Sequence, residues 1–127
     1  MIEQKILVIE DILINMELVT DLLELAGYKV FQAETAETGI EMARTESPDL
    51  ILMDIGLPGM DGLTATGILK QDQMTKGIPI IALTSHAMEG DEKKILAAGC
   101  NGYLTKPIDT REFPHTVARL IKSSRRD

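Results

Sequence analysis

The chain has 127 residues, enough for one domain with a single core and little room for a second. Hydrophobic residues make up 44% and charged residues 26%, which argues against a disordered chain, and no apolar run approaches the roughly 20 residues needed to span a bilayer. A net charge of −7 argues against nucleic-acid binding, which relies on Lys and Arg to neutralise phosphates, while the single cysteine, Cys100, excludes an internal disulfide and suits a reducing cytoplasm.

Met1 stands just before a strand-like run at Lys5–Ile9, with no basic region and apolar stretch of the kind that marks a signal peptide. A helix is expected next. Leu18, Leu22 and Leu25 recur at i, i+4, i+7 as its inward stripe, Asn15 lies one turn earlier on that face, and Glu17, Asp21 and Glu24 lie on another. By that phase at least one or two of Ile12, Leu13 and Ile14 should face solvent. A second strand is read at Lys29–Ala33, and a helix from Ala36 to Glu46 carries Ile40 and Ala43 and ends at Ser47-Pro48. Leu50–Asp54 is an almost wholly apolar strand. A weaker helix follows at Leu63–Gln71, then a strand at Ile78–Leu83 and a helix at Glu89–Ala98, stopped by Gly99. Gly102–Thr105 is the fifth strand. The last helix is predicted over Thr110–Lys122, with Asp109 as N-cap and Glu112 completing a capping box. Pro114 falls inside that range, where it would delete a backbone hydrogen bond. The expected domain is 1–122, and 123–127 is a polar, basic tail: a frayed end or the start of a linker.

Five strand–helix units in a row imply an α/β fold: one doubly wound parallel sheet with right-handed crossovers and helices on both faces. In such sheets ligands bind beyond the carboxyl ends of the strands, near the point where strand order reverses. Glu10-Asp11 follow the first strand, Asp54 closes the third, Thr84-Ser85 follow the fourth, and Lys106-Pro107 follow the fifth. If the strand order is 2-1-3-4-5, the first and third strands are neighbours and the acidic pair meets Asp54 in one crevice. Three adjacent carboxylates repel one another, and a hard divalent cation relieves that repulsion; Mg²⁺ is usually held by one or two carboxylates with water and phosphate oxygens. A carboxylate can also be the nucleophile that carries a phosphoryl group, with Lys106 as positive charge and the Thr84 hydroxyl as donor for its oxygens. Taken singly, each of these residues reads as an ordinary loop or turn feature. Four strand ends carrying complementary groups do not.

Four blocks then become recognisable: Val8-Ile9-Glu10-Asp11; Leu52-Met53-Asp54-Ile55-Gly56-Leu57-Pro58-Gly59-Met60-Asp61-Gly62; Ile81-Ala82-Leu83-Thr84-Ser85-His86-Ala87-Met88; and Ala98-Gly99-Cys100-Asn101-Gly102-Tyr103-Leu104-Thr105-Lys106-Pro107-Ile108. In order and spacing, over essentially the whole chain, they resemble the response-regulator receiver family of two-component systems, both its single-domain regulators and the receivers of hybrid histidine kinases. The resemblance supplies the strand order 2-1-3-4-5 and the flavodoxin-like (βα)5 fold. It implies Asp54 as phosphoryl acceptor, Glu10, Asp11, Asp54 and the Gly56 carbonyl as a site for Mg²⁺ (Mn²⁺ as an alternative), Lys106 as phosphoryl-binding base, and Thr84 and Tyr103 as switch residues that move together. It also implies a histidine kinase or histidine phosphotransfer protein as donor, a downstream protein target, a cytoplasmic location and no catalysis beyond the domain's own phosphoryl transfer and loss. Family and geometry together predict a cis Lys106–Pro107 bond, because Lys106 must aim back into the crevice as the chain turns away. Met1 so close to the first strand points to an N-terminal or stand-alone receiver.

Three departures stand out: Glu10 replaces the commoner Asp, Ile12 stands where relatives usually carry a polar residue, and Pro114 lies within the predicted last helix. His86 and Cys100 are expected to have no catalytic or redox role. A phosphatase of the haloacid-dehalogenase type is the rival enzyme reading. It needs a second Asp two residues after the nucleophile, where Gly56 stands. A degenerate receiver that binds without phosphorylation is opposed by the complete set Glu10, Asp11, Asp54, Thr84 and Lys106. Finally, Ile12, Leu13 and Ile14 at the mouth of the crevice are read as a docking patch for the helix that carries the donor histidine.

Overall fold

Short β-branched and apolar runs become strands, and the segments with helical periodicity between them become the crossovers. This computed structural model describes residues 3–85 and 89–124, apart from the side chains at positions 89, 90, 123 and 124. In chain order the elements are β1 (Lys5–Ile9), α1 (Leu13–Leu25), β2 (Lys29–Ala33), α2 (Ala36–Glu46), β3 (Leu50–Asp54), α3 (Gly62–Gln71), β4 (Ile80–Thr84), α4 (Glu89–Ala97), β5 (Gly102–Thr105) and α5 (Phe113–Ser124). All strand pairs are parallel, in the order β2-β1-β3-β4-β5. Every residue of β3 and β4 is buried, as a strand covered on both faces requires.

Side-chain alternation splits the core into two layers. Leu7, Ile9, Ile51, Met53, Ile80 and Ala82 pack with residues of α2, α3 and α4. Ile6, Val8, Leu50, Leu52, Ile81 and Leu83 face the other way, against Met16, Val19 and Leu23 of α1 and Phe113, Val117 and Ile121 of α5.

Three expectations need correction. The inward stripe of α1 is Met16, Val19 and Leu23; Leu25 is 86% exposed, Leu18 39% exposed and Leu22 only half-buried. The leucine series sits beside the buried stripe because the chain enters α1 in a phase set by the Glu10–Ile12 turn. β4 starts at Ile80 because Ile78 closes a turn onto Thr75, and Pro79, which has no N–H, gives its carbonyl to Ile51. The last helix begins at Phe113. Asp109 caps a turn by accepting from the amides of Arg111 and Glu112, and Pro114 falls in the first helical turn, where its missing N–H leaves no gap. That helix runs on to Ser124, two residues past its expected end at Lys122. The Lys106–Pro107 bond is cis, as expected.

Candidate functional site

Because β1 and β3 are neighbours, Glu10 and Asp54 leave the sheet side by side. Glu10 extends the β1 ladder by donating its N–H to the Ala33 carbonyl, which turns its side chain inward, 1% exposed. Its Oε2 accepts from the Ile12 amide at 3.0 Å and its Oε1 from Lys106 Nζ at 2.9 Å. Asp54 is nearly as buried. Its Oδ1 accepts from the Gly56 amide at 3.0 Å, and its Oδ2 lies 3.2 Å from Lys106 Nζ. Lys106 therefore bridges the two carboxylates, a contact not anticipated from the sequence, where its positive charge was assigned only to phosphoryl oxygens.

The electrostatics follow from this crowding. Burial raises the pKa of Glu10; the Ile12 amide and Lys106 pull it back, while the neighbouring Asp54 adds to the rise. Burial alone would lower the pKa of Lys106, but Glu10 and Asp54 outweigh it and carry the ammonium upward. The cation is held by its partners.

Asp11 completes the group. Oxygens of Glu10, Asp11 and Asp54 all lie within 4.8 Å of one another. Asp11 Oδ1 is buried and has no hydrogen-bond partner among the described residues. A buried carboxylate oxygen left unsatisfied is costly, and three carboxylates with only one ammonium between them leave excess negative charge. A hard cation with a preference for oxygen fits both observations.

The remaining walls come from β4, β5 and the loop after β3. Thr84 is buried at the end of β4, and its carbonyl accepts from the Lys106 amide at 2.8 Å, which ties the exit of β5 to the exit of β4. Tyr103 pairs with Ala82, so by the two-residue alternation of strands it shares a face with Thr84, one pleat further from the crevice. It is half-buried against the layer of α2, α3 and α4. Gly59 turns the loop with φ of 73°. Gly62 has a reason the sequence did not reveal: a Cβ there would collide with the Asp54 carbonyl oxygen and crowd Ile55 Cα, so only glycine lets α3 start this close to the phosphoacceptor candidate. His86, Ala87 and Met88 lie outside the described residues.

Ile12, Leu13 and Ile14 are all exposed, at 50%, 70% and 75%. Their expected exposure is observed, although the stripe used to derive it is not the buried one. Cys100 is buried against the Thr66 hydroxyl, and burial pushes its thiol pKa up, away from the reactive thiolate.

Residues 6–118 match the response regulator receiver domain family. The chain belongs to that family. Among relatives, the polar-differentiation response regulator DivK of Brucella ovis is 41% identical over 118 residues, covering 93% of this chain and 96% of DivK. Among solved structures, a response regulator from Chloroflexus aurantiacus superposes with a TM-score of 0.90 at 29% identity, covering 95% of this receiver and 99% of that chain. The receiver domain of a Pseudomonas aeruginosa sensor histidine kinase, solved with a magnesium ion coordinated in its active-site cleft, superposes at 0.87 with 35% identity and the same coverage. Receiver domains are signalling switches rather than metabolic enzymes; they work with histidine kinases or phosphotransfer proteins and with downstream targets.

Proposed function

We propose that this receiver is a phosphorylation-dependent switch whose acceptor is Asp54, charged by a histidine kinase or a histidine phosphotransfer protein. One observation carries the reading: a buried Asp54 carboxylate at a strand end, 3.2 Å from Lys106 Nζ and within an acidic group whose Asp11 Oδ1 has no hydrogen-bond partner among the described residues. Transfer forms a bond between an Asp54 oxygen and phosphorus and breaks the bond from phosphorus to the donor imidazole nitrogen, which keeps the electron pair. Lys106 sits where it can follow the negative charge onto the phosphoryl oxygens, and the Thr84 hydroxyl is a donor for them. Glu10, Asp11, Asp54 and the Gly56 carbonyl would hold Mg²⁺, with Mn²⁺ as an alternative, and the bound ion would offset the charge of carboxylates and phosphoryl group.

The phosphoryl group brings about two negative charges and new acceptor oxygens. Thr84 moves toward them, the Tyr103 ring takes the space it leaves, and the surface formed by α4, β5 and α5 changes for a downstream protein target. Such a switch is a population shift driven by local charge. Ile12, Leu13 and Ile14 dock the donor. The switch unit runs from β1 through the end of α5 at Ser124. It acts in the cytoplasm without nucleic acid or membrane; no helix among the described residues is long and apolar enough to cross one.

The test is incubation with acetyl phosphate and Mg²⁺ followed by intact mass measurement. One phosphoryl group is expected on the wild type, none on Asp54→Asn and none after chelation. Undiminished labelling of Asp54→Asn would remove the assignment. Tyr103 resonances that are unchanged by a phosphoryl mimic would remove the coupled switch.

A further inference from the structure

The segment between β3 and α3 is held at more points than a surface loop needs. Ile55 is fixed to the sheet by donating its N–H to the Leu83 carbonyl at 3.0 Å. Gly62, the first residue of α3, donates back to the Ile55 carbonyl at 3.2 Å and so closes the loop that carries Gly56. Gly62 also lies so close to the Asp54 carbonyl that it has no room for a Cβ. On its exposed side the first turn of α3 is closed by Asp61, whose Oδ1 accepts from the Thr64 amide at 2.8 Å. On its buried side the closure falls to Thr66, which is 0% exposed and whose hydroxyl donates to the Gly62 carbonyl at 2.8 Å. With its proton committed there, the hydroxyl oxygen meets the Cys100 thiol at 3.8 Å; burial raises the pKa of that thiol and keeps it protonated, able to donate.

A threonine inside a helix often bonds the carbonyl four residues back, and such a bond by itself belongs to the helix. Two facts give this one a further role. A fully buried position flanked by Ala65 and Leu69 suits an aliphatic side chain, and burying a hydroxyl there gains little unless its bond holds something in place. The carbonyl it holds belongs to the residue pressed on the Asp54 main chain. We infer that Thr66 is a positioning residue for Asp54 and Gly56: by pinning the Gly62 carbonyl it holds the start of α3 against the Asp54 main chain and keeps the loop closed, so that the Asp54 carboxylate and the Gly56 carbonyl can serve one ion. This rests on the reading that both are ligands of Mg²⁺ and that Asp54 receives the phosphoryl group. Thr66 touches neither ion nor phosphoryl group and acts only through Gly62. Without its hydroxyl, Gly62 can draw back from Asp54 and the ligands lose the support that keeps them in register with Asp11.

The experiment compares Thr66→Val, Thr66→Ala and Thr66→Ser with Thr75→Val in the full chain. Thr75 is the matched case. It is equally buried and donates to another α3 carbonyl, that of Leu69 at 2.6 Å, but at the end of the helix remote from Asp54. In the metal-free protein, exchange of the Gly62 amide relative to the β3 amides, followed by NMR, should be several-fold faster in Thr66→Val and Thr66→Ala than in the wild type. It should be unchanged in Thr66→Ser and Thr75→Val. In titrations with Mg²⁺ alone, the same two variants should bind the ion about fivefold more weakly, less than the loss of about tenfold or more that follows when the partner of a ligand is itself removed. Thr66→Ser keeps the hydroxyl and should stay near the wild type. Unchanged Mg²⁺ affinity in Thr66→Val and Thr66→Ala, an equal loss in Thr75→Val, or no recovery in Thr66→Ser would each overturn the inference. If the wild type binds no Mg²⁺ and takes no label from acetyl phosphate, the phosphoacceptor reading fails. The Gly62 exchange rates then still decide whether Thr66 holds the loop, and equal rates in all five proteins would remove that claim too.

Discussion

Helix α2 packs Ala36, Gly39, Ile40 and Ala43 into one layer of the core, and its termini are conventionally closed. Thr35 accepts from the Thr38 amide at 3.1 Å, Glu37 stands in the first turn, Arg44 in the last, and Ser47 ends the helix with φ of 47°. Helix α1, on the opposite layer, buries Met16, Val19 and Leu23 but leaves four large apolar side chains exposed, Leu13, Ile14, Leu18 and Leu25. Its N-cap is Ile12, extended and without a side-chain cap, its first turn has no acid and its last turn no base. In α2 the N-cap and the charges at both ends agree with stability, although Gly39 in its interior and Ser47 in the left-handed region do not. In α1, where the helix starts at the mouth of the carboxylate crevice, no side-chain cap or end charge supports the helix and apolar side chains are exposed instead.

The contrast can be broken most directly in α1 itself. Leu23→Ala should lower stability by about 2–5 kcal/mol because it empties a fully buried site, while Leu25→Ala, two residues on, should stay within about 0.5 kcal/mol. Urea unfolding of both variants checks this, and comparable losses would mean that the leucine series is the inward stripe after all. In α2 a Cβ added at Gly39 would collide with the Ile9 side chain. Gly39→Val should cost about 1–3 kcal/mol by overpacking, seen as a lower denaturation midpoint, whereas a neutral result would mean that α2 has slack where it shows none.

The two N-caps should respond in opposite directions. Thr35→Ala should remove about 1 kcal/mol, while Ile12→Asn should add a fraction of that by giving α1 the side-chain acceptor it lacks. Thermal unfolding of the pair resolves the sign. The smallest expected effect on stability is Ile14→Ser, within about 0.5 kcal/mol. This substitution should nonetheless slow transfer from a phosphohistidine protein several-fold while acetyl phosphate labels Asp54 at nearly the wild-type rate. Equal slowing with both donors would mean a damaged crevice, and no slowing with either would make the patch ordinary surface.

β1, β2, β3 and α2 have the bounds read from the sequence, because each is a self-consistent run closed by strong local signals such as Thr35 and Ser47-Pro48. Elements whose limits depend on neighbours moved: β4 waits for Pro79 to pass, and α5 starts after the Asp109 turn, which removes the conflict at Pro114. The candidate site was legible residue by residue, since strand-end carboxylates, a hydroxyl and a lysine are visible as such in a chain of five strand–helix units. Its pairwise geometry was not. That Lys106 spans Glu10 and Asp54, and that Asp11 Oδ1 is buried with no partner among the described residues, follow from the packing of three strands whose residues are up to 96 positions apart.

The sequence by itself determined the alternation of strands and helices and the identity of the chemical groups at the strand ends, because periodicity and residue type are local properties. The tertiary structure decided which face of α1 is buried, since Leu18, Leu22 and Leu25 offer as good a stripe as Met16, Val19 and Leu23 and only the angle at which the chain leaves β1 selects between them. It also decided why position 62 must be glycine: the limit is set by the Asp54 carbonyl of a different element, a contact that composition and spacing along the chain do not encode.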